Sequence, residues 1–278
     1  MQIVAHRGAS GTFPEHTLAA YEEAVRQGAD GVECDLRLSG DGHLVCFHDR
    51  LLDRTTNGRG PIGAMPISKL RTLNAGTEEA PQPILEFETF LEFVSAHPDL
   101  GVFIETKHPV MTGLRTERKL REQLKHFGLD TAERTHVISF STRSMSAVGT
   151  MLPKLNRIQL VDSPSPRTAL RRYLGRPTSM GVDIVGARRD PTGATGWKKP
   201  LYSWLAKTDT DVTFAHARGV QWLATDWPAE ARAVLDTARL EQSAPGAEAK
   251  RKRADAGAFV PRNVPQRLGH GAGLNAPK

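Results

Sequence analysis

The sequence predicts an α/β fold in which eight parallel strands close into a TIM, or (β/α)8, barrel. The first observation is that short β-branched runs alternate with longer amphipathic stretches through residues 1–240, which is typical of βα units in a parallel sheet. The second is the number of such runs, because eight strands close a barrel. The third is the length of 278 residues, since such barrels commonly take about 250 residues as one domain.

The predicted strands, in chain order, are residues 3–6, 31–35, 101–107, 136–140, 157–161, 182–186, 201–205 and 220–226. Amphipathic stretches between them predict helices at residues 17–27, 84–96, 116–127, 144–151, 166–174, 209–218 and 229–240. In the first of these, Leu18, Tyr21 and Val25 recur at helical spacing, and Gly28 ends the helix. Residues 51–83 contain several prolines and glycine turns, which indicates a long connection rather than another βα unit.

A β-hairpin is predicted directly after the second strand, where the chain reads LRLSGDGHLVCFHD. Two apolar-alternating runs flank Asp41-Gly42, a pair that favours a two-residue hairpin loop. With that loop, Asp35 lies directly across from His48. Cross-strand partners share one face of a hairpin, so these two side chains are expected to emerge together.

The cysteines and the hydropathy pattern bear on the compartment. In the predicted hairpin register, Cys34 and Cys46 point to opposite faces and cannot easily form a disulfide, and reduced thiols favour the cytoplasm. No apolar run reaches the roughly 18 residues of a membrane span, and no charged-then-apolar leader precedes the first strand. The sequence therefore predicts a cytoplasmic protein without a transmembrane segment.

Residues 1–240 are predicted to form the barrel domain and residues 241–278 a disordered basic tail. The tail has seven Lys and Arg against three Asp and Glu, so it holds most of the formal net charge of +6. It is rich in Ala, Gly and Pro and has no sustained period. Its basic run at residues 250–253 allows a weak contact with a membrane surface, but a solvated extension is the preferred interpretation and no nucleic-acid partner is expected.

Polar side chains collect at the predicted C-terminal ends of the strands, the face where barrel enzymes place their active sites. The set consists of His6, Arg7, Glu33, Asp35, His48, Glu105 and Lys107. Residues two apart on a strand point the same way, so Glu33 and Asp35 share a face, and so do Glu105 and Lys107. His48 reaches the same region through the hairpin.

The residue types in this set indicate hydrolysis of a phosphodiester with a metal ion. Three carboxylates held close together raise one another's pKa unless a cation compensates. Oxygen ligands suit Mg²⁺ or Ca²⁺, and no Cys or His pair has zinc-like spacing. Arg7 and Lys107 suit phosphate oxygens. His6 and His48 can supply one base for the nucleophile and one acid for the leaving alkoxide.

These residues lie in motifs that resemble the glycerophosphodiester phosphodiesterase family. The motifs are HRGASGTFPEHT, GVECDLRLSGDGHLVCFHD, DRTTNGRG and IETK, and the likeness continues through ISF and YSWL to ATDWP, over roughly residues 3–235. The resemblance implies a TIM barrel of the phosphatidylinositol-phospholipase-C-like type. It also implies that a small-molecule glycerophosphodiester is hydrolysed to sn-glycerol 3-phosphate and an alcohol with one divalent metal ion.

The resemblance also implies a role for individual residues. It assigns the metal to Glu33, Asp35 and Glu105, acid–base catalysis to His6 and His48, phosphate contacts to Arg7 and Lys107, and the wall of the glycerol pocket to Trp204. The chain departs from the family pattern at His16, where the family commonly has Asn, and at Leu205, Ala206 and Lys207, where it often has Thr-Val-Asn. The unusually basic stretch ARRDPTGATGWKKP is a further departure that bears on the alcohol side of the substrate.

Two alternatives stay open from the residues. A lysophospholipase D would need an apolar, membrane-facing mouth, and the sequence shows no clear amphipathic lid. A non-catalytic phosphoester-binding barrel, recruited by its basic tail, would be expected to lack part of the catalytic set, which is complete here. The residues leave open whether the nucleophile is water or a glycerol hydroxyl of the substrate, and which histidine is the acid. They also leave open the headgroup, the choice of Mg²⁺ or Ca²⁺ and the oligomeric state.

Overall fold

The computed structural model describes residues 1–108, 112–162, 170–191, 196 and 198–243. The chain forms two units, Met1–Ala238 and Arg239–Lys278. The predicted domain boundary at residue 240 stays a prediction, because residues 244–278 of the predicted tail lie outside the described residues. Within the described ranges, no helix is long and apolar enough to cross a membrane.

The described strands form one sheet that closes on itself. Their bounds are β1 Gln2–His6, β2 Gly31–Leu38, β3 Leu44–Cys46, β4 Gly101–Thr106, β5 Thr135–Ser139, β6 Asn156–Val161, β7 Ser179–Asp183, β8 Leu201–Ala206 and β9 Trp222–Thr225. The ring order is β1, β9, β8, β7, β6, β5, β4, β2, and parallel pairing of β1 with β2 completes it. β3 pairs antiparallel with β2 outside the ring. This confirms the predicted TIM barrel with a hairpin after the second strand.

Helices occupy most connections between the strands. Their bounds are α1 Leu18–Arg26, α2 Ile67–Leu70, α3 Phe87–Ala96, α4 Arg115–His126, α5 Thr142–Met151, α6 Ile184–Arg189, α7 Asp209–Ala217 and α8 Pro228–Ser243. Helix α1 begins at a cap in which Thr17 Oγ1 accepts a hydrogen bond from the Ala20 N–H at 3.2 Å. Part of the helix predicted at 166–174 lies outside the described residues, and Leu170–Arg172 form a 3-10 turn instead.

The hairpin after β2 has a different register from the predicted one. Leu36 pairs with Cys46, and the backbone N–H of Phe47, not of His48, donates to the carbonyl of Asp35 at 2.8 Å. The predicted pairing of Asp35 with His48 is therefore wrong by one residue. The loop is one residue longer than predicted, and Gly42 within it adopts a left-handed φ of +91°, as is common in three-residue hairpin loops.

This register also changes the position of the two cysteines. Cys34 and Cys46 are free, buried and part of one hydrophobic cluster between the sheet and the helices. Their thiols interact, and this contact together with burial raises the pKa of Cys34. The prediction that they face opposite sides is wrong, because a one-residue change of register moves a side chain to the other face of a strand.

The sixth barrel strand, β7, begins and ends earlier than predicted. β7 ends at Asp183, and the following residues form helix α6 rather than the end of a strand at 182–186. The carboxylate of Asp183 accepts hydrogen bonds from the backbone N–H groups of Val185 at 2.8 Å and Gly186 at 3.1 Å. Such an N-cap starts a helix even where β-branched residues follow.

The interior of the barrel is filled by side chains from alternate positions of the strands. The buried members are Val4, Phe103, Ile138, Ile158, Leu160, Tyr202, Trp222 and Ala224. Residues between them, such as Ile3, Ile104 and Leu223, belong to separate clusters on the outer side of the sheet. Because side chains alternate along a strand, residues two places beyond the interior set also point inward.

Candidate active site

The inward-facing rows of the barrel end in polar and aromatic side chains at its C-terminal face. Four core residues are each followed, two positions later, by a residue at this face. The pairs are Val4 and His6, Phe103 and Glu105, Tyr202 and Trp204, and Ala224 and Asp226. Polar groups at such depth are costly unless they are paired. Their partners therefore indicate the chemistry that this face can carry.

Three carboxylates from two adjacent strands meet at the centre of this face. Glu33 and Asp35 lie on β2 and are 1% exposed, and Glu105 lies on β4 and is 7% exposed. One carboxylate oxygen from each lies within 4.8 Å of the others. The register explains the convergence, because Asp35 pairs with Glu105 across the two parallel strands. The predicted cluster is thus brought together by strand periodicity.

Two cationic side chains contact the carboxylate cluster. Lys107 Nζ lies 2.7 Å from Asp35 Oδ1 and 2.8 Å from Glu105 Oε1. Arg7 Nε lies 3.2 Å from Asp35 Oδ2, and the backbone N–H of Arg7 donates to Glu33 Oε2 at 3.2 Å. Both predicted phosphate contacts therefore border the cluster.

The cluster holds more buried negative charge than its cations compensate. Burial, followed by the negative charge of Asp35, raises the pKa of Glu105 to about 7. Burial and the neighbouring carboxylates raise the pKa of Glu33 well above its ordinary value. Burial also acts to raise the pKa of Asp35, but Lys107 and the surrounding donors hold that pKa well below its usual range. Such crowded oxygen donors fit a hard divalent cation.

His6 is held by a carboxylate that the sequence analysis missed. Its Nδ1 lies 2.8 Å from Asp226 Oδ1, which also accepts a hydrogen bond from Ser10 Oγ at 2.9 Å. Asp226 is the last residue of the predicted eighth strand and lies two residues beyond the inward-facing Ala224. The alternation of side chains along a strand therefore places Asp226 on the inner face. With Nδ1–H donating to Asp226, the Nε2 atom of His6 is available for proton transfer.

His48 has an equivalent partner, and Arg54 links this pair to Glu15. His48 Nδ1 lies 2.6 Å from Asp49 Oδ1, and burial lowers the pKa of His48. Arg54 binds Asp49 through Nε at 2.6 Å and Glu15 through Nη1 at 2.8 Å. Glu15 in turn accepts a hydrogen bond from Arg7 Nη1 at 3.0 Å.

His16, which occupies a position where the family commonly has Asn, contacts the carboxylate cluster through Asp35. It is 4% exposed. Its Nε2 lies 3.0 Å from Asp35 Oδ2, and its Nδ1 lies 2.8 Å from the hydroxyl of Tyr21. Burial lowers the pKa of His16, which favours the neutral ring. A neutral His16 can donate from Nε2–H to Asp35 and pair through Nδ1 with the Tyr21 hydroxyl, which also lies 3.2 Å from the carbonyl oxygen of Glu33.

Trp204 is partly buried at the C-terminal end of β8. Its ring meets Phe140 edge-on at a centroid distance of 5.5 Å and lies 6.1 Å from the ring of Tyr202. It therefore borders the same face of the barrel as the carboxylates, on an aromatic wall. Its glycerol-binding role stays a prediction.

Comparison with known proteins agrees with the fold and identifies the family. Residues 6–230 match the model of the glycerophosphoryl diester phosphodiesterase family. The chain is 35% identical over 257 residues to a probable glycerophosphodiester phosphodiesterase 1 of Mycobacterium tuberculosis, covering 85% of this chain and 93% of the relative. It is 36% identical over 240 residues to a glycerophosphodiester phosphodiesterase of Caldanaerobacter subterraneus, covering 81% of this chain and 94% of the relative.

Solved structures show the same architecture. An Oleispira antarctica phosphodiesterase in complex with the product sn-glycerol-3-phosphate superposes with a TM-score of 0.78 at 25% identity, covering 85% of this chain and 97% of that one. A glycerophosphodiester phosphodiesterase from Agrobacterium tumefaciens superposes with a TM-score of 0.70 at 27% identity, covering 85% of this chain and 99% of that one. Both matches span nearly the whole of the compared protein.

Proposed function

The chain belongs to the glycerophosphoryl diester phosphodiesterase family and is an enzyme of that class, and we propose that it hydrolyses glycerophosphodiesters to sn-glycerol 3-phosphate and an alcohol with one divalent metal ion and two histidines. The observation that carries this proposal is the convergence of three buried carboxylates beside two cations. Two imidazoles border this centre, each held at Nδ1 by a carboxylate.

We assign the metal site to Glu33, Asp35 and Glu105. The donor set fits a hard cation, because all three groups offer oxygen and two of them resist ionisation when crowded together. Mg²⁺ and Ca²⁺ both suit such donors. When bound, the ion would stabilise negative charge that develops on the phosphoryl oxygens.

Arg7 and Lys107 would bind the phosphate. Each already contacts Asp35, so each is held in place before substrate arrives. The guanidinium of Arg7 can direct its remaining N–H groups to two phosphate oxygens, whereas Lys107 acts as a point charge with three donors. Together they would orient the phosphorus between the two imidazoles.

His6 and His48 would move the protons. Because Asp226 and Asp49 accept from the Nδ1–H groups, the Nε2 atom of each ring can take a proton when neutral and give one when protonated. One ring would deprotonate the nucleophile while the other protonates the departing alkoxide. The nucleophile is water or a hydroxyl of the glycerol half, and the two routes differ in whether a cyclic glycerol phosphate accumulates.

The decisive experiment follows release of glycerol 3-phosphate from glycerophosphocholine and glycerophosphoethanolamine, and release of choline from lysophosphatidylcholine, with and without EDTA. We expect EDTA-sensitive turnover of the first two, restored by adding Mg²⁺ or Ca²⁺. Release of choline from lysophosphatidylcholine as the main activity would favour the lysophospholipase D alternative. The absence of EDTA-sensitive turnover on all three would contradict the proposal. Phosphorus NMR of the reaction distinguishes direct attack by water from a cyclic intermediate.

Three further assignments accompany this proposal. We assign residues 1–240 to the catalytic domain and residues 241–278 to a basic tail that is not needed for turnover. We also infer a cytoplasmic location, which the two adjacent free thiols of Cys34 and Cys46 support because oxidising compartments favour disulfides. Trp204 would form one wall of the glycerol pocket, on the aromatic side of the mouth.

A further inference from the structure

We propose that the cavity between the β1–α1 loop and residues 54–78 is the subsite for the leaving alcohol, and that it favours a cationic amino alcohol such as choline. The inference rests on the proposed function. The cavity measures about 500 Å³. Its lining includes Ser10, Phe13, Glu15, Arg54, Asn74 and Glu78.

Three contacts connect this cavity to the proposed catalytic groups. Ser10 Oγ donates to the carboxylate of Asp226, which holds His6. Glu15 accepts a hydrogen bond from Arg7 at 3.0 Å. Arg54 binds Asp49, the partner of His48. An alcohol arm in this cavity would therefore extend from a phosphate at Arg7, and its leaving oxygen would lie near the imidazoles.

The charges of the lining favour a cation over an anion. The guanidinium of Arg54 is already engaged by two carboxylates, Glu15 and Asp49, and Glu15 also meets Arg7. These two cations and two anions compensate one another. Glu78 therefore gives the lining an excess of one negative charge. Phe13, which is 37% exposed, adds an aromatic surface that attracts quaternary ammonium groups.

A second cavity of similar size on the same face of the barrel has the opposite charge. It measures about 480 Å³ and is lined by Arg143 and Arg171 together with Asp162, at the ends of β5 and β6. Arg171 also donates to the carbonyl of Phe140 at 3.1 Å. A cationic alcohol would be repelled there. The charges of the two cavities would therefore direct the alcohol arm of the diester to the first one.

The wall that carries Glu78 is fixed by its own hydrogen bonds. The side chain of Asn74 accepts from the backbone N–H of Gly76 at 2.8 Å and donates to the carbonyl of Thr77 at 2.9 Å. Thr77 Oγ1 accepts from the Ala80 N–H at 3.0 Å, which closes a tight turn around Glu78. The carboxylate is thus presented at the cavity by a braced loop.

The test compares two substrates of the full chain, glycerophosphocholine and glycerophosphoglycerol, whose leaving alcohols are cationic and neutral. We expect Glu78→Lys to lower kcat/KM for the choline ester at least about fivefold relative to the glycerol ester, through KM. Phe13→Leu should shift the same ratio by about two- to fivefold, as expected for loss of a cation–π contact. Glu79→Lys is the matched control, because this neighbouring carboxylate does not line the cavity and should leave the ratio unchanged.

The outcomes separate this inference from the proposed function. Turnover of both esters with equal responses to Glu78→Lys and Glu79→Lys would overturn the subsite and leave the phosphodiesterase activity standing. A change of the ratio in Arg143→Gln, with none in Glu78→Lys, would place the alcohol in the second cavity and also overturn it. Absence of turnover on every ester would instead contradict the proposed function itself.

Discussion

The imidazole of His16 lies 3.0 Å from the carboxylate of Asp35 and spans the gap between that carboxylate and the hydroxyl of Tyr21. A proposed metal ligand is therefore oriented by a residue that is itself only 4% exposed. Groups that hold metal ligands in this way commonly change metal affinity about 10- to 100-fold when they are removed. His16 is accordingly a positioning residue.

Replacing His16 by Ala should weaken metal binding about tenfold or more, because Asp35 loses the donor that fixes its orientation. Calorimetric titration of the metal-free protein with Mg²⁺ or Ca²⁺ measures this directly. His16→Asn, which introduces the residue common in the family, should lose less, since the amide can still donate to Asp35. Equal metal affinity in wild type and His16→Ala would contradict the role assigned to His16.

Asp226→Asn should lower kcat by about 10²-fold or more, because the amide no longer enforces the Nδ1–H tautomer of His6. The fold should be retained, as Asn is isosteric and still accepts from Ser10. Stopped assays at saturating substrate give kcat, and thermal melting reports the fold. Asp49→Asn is the matched variant for His48, and similar losses in both would support paired roles. An unchanged kcat in Asp226→Asn would remove His6 from the proton-transfer scheme.

Stability of the metal-free protein should fall as pH rises from about 4.5 to about 7. Glu105 has a pKa raised to about 7, so the folded state binds more protons than the unfolded state across this range. The stability that protonated Glu105 contributes is complete below the unfolded pKa and is lost as the pH passes the folded one. Glu33 acts in the same direction. Asp35, with a lowered pKa, contributes in the opposite sense only at more acidic pH.

Thermal melting with EDTA, and again with saturating metal, measures this effect. The difference in Tm between the two conditions should grow as the pH rises through the window. Glu105→Gln should flatten the EDTA curve because the titrating group is gone. A difference in Tm that is independent of pH between 4.5 and 7 would argue against carboxylate repulsion as its cause.

Trp204→Ala should raise KM for different glycerophosphodiesters by a similar factor, about tenfold. The residue would contact the glycerol half, which all these substrates share, so the choice among alcohols should not change. Steady-state kinetics on the choline and glycerol esters provide the comparison. A selective loss for one ester would place Trp204 on the alcohol side instead.

The carboxylate cluster could be predicted from sequence because it depends on local periodicity. Glu33 and Asp35 share a face whatever the rest of the chain does, and the parallel pairing of β2 and β4 then brings Glu105 beside them. Strand alternation could have placed Asp226 on the inner face, but its pairing with His6 could not be predicted because the two residues are 220 apart in the chain. Only closure of the ring between β1 and β9 brings the two together.

The hairpin register could not be predicted for a similar reason. Asp41 does not simply occupy a two-residue loop, because its carboxylate accepts from Ser39 Oγ at 2.6 Å and from the backbone N–H of Ile67 at 3.1 Å. Ile67 lies outside the hairpin, in the long connection after β3, so the loop is shaped by a tertiary contact. The Asp-Gly pair alone favours the shorter loop.

The long excursion between β3 and α3 carries His48 together with Arg54, Asn74 and Glu78, whereas His6 and the acidic centre belong to the ring itself. An exchange of this single contiguous segment between relatives would transplant one half of the proton relay and the headgroup wall in one event. The range of substrates and the residues that protonate the leaving group would then change together. The strands that hold the metal ligands would stay the same. Chimeric enzymes with swapped excursions should inherit the donor's alcohol preference.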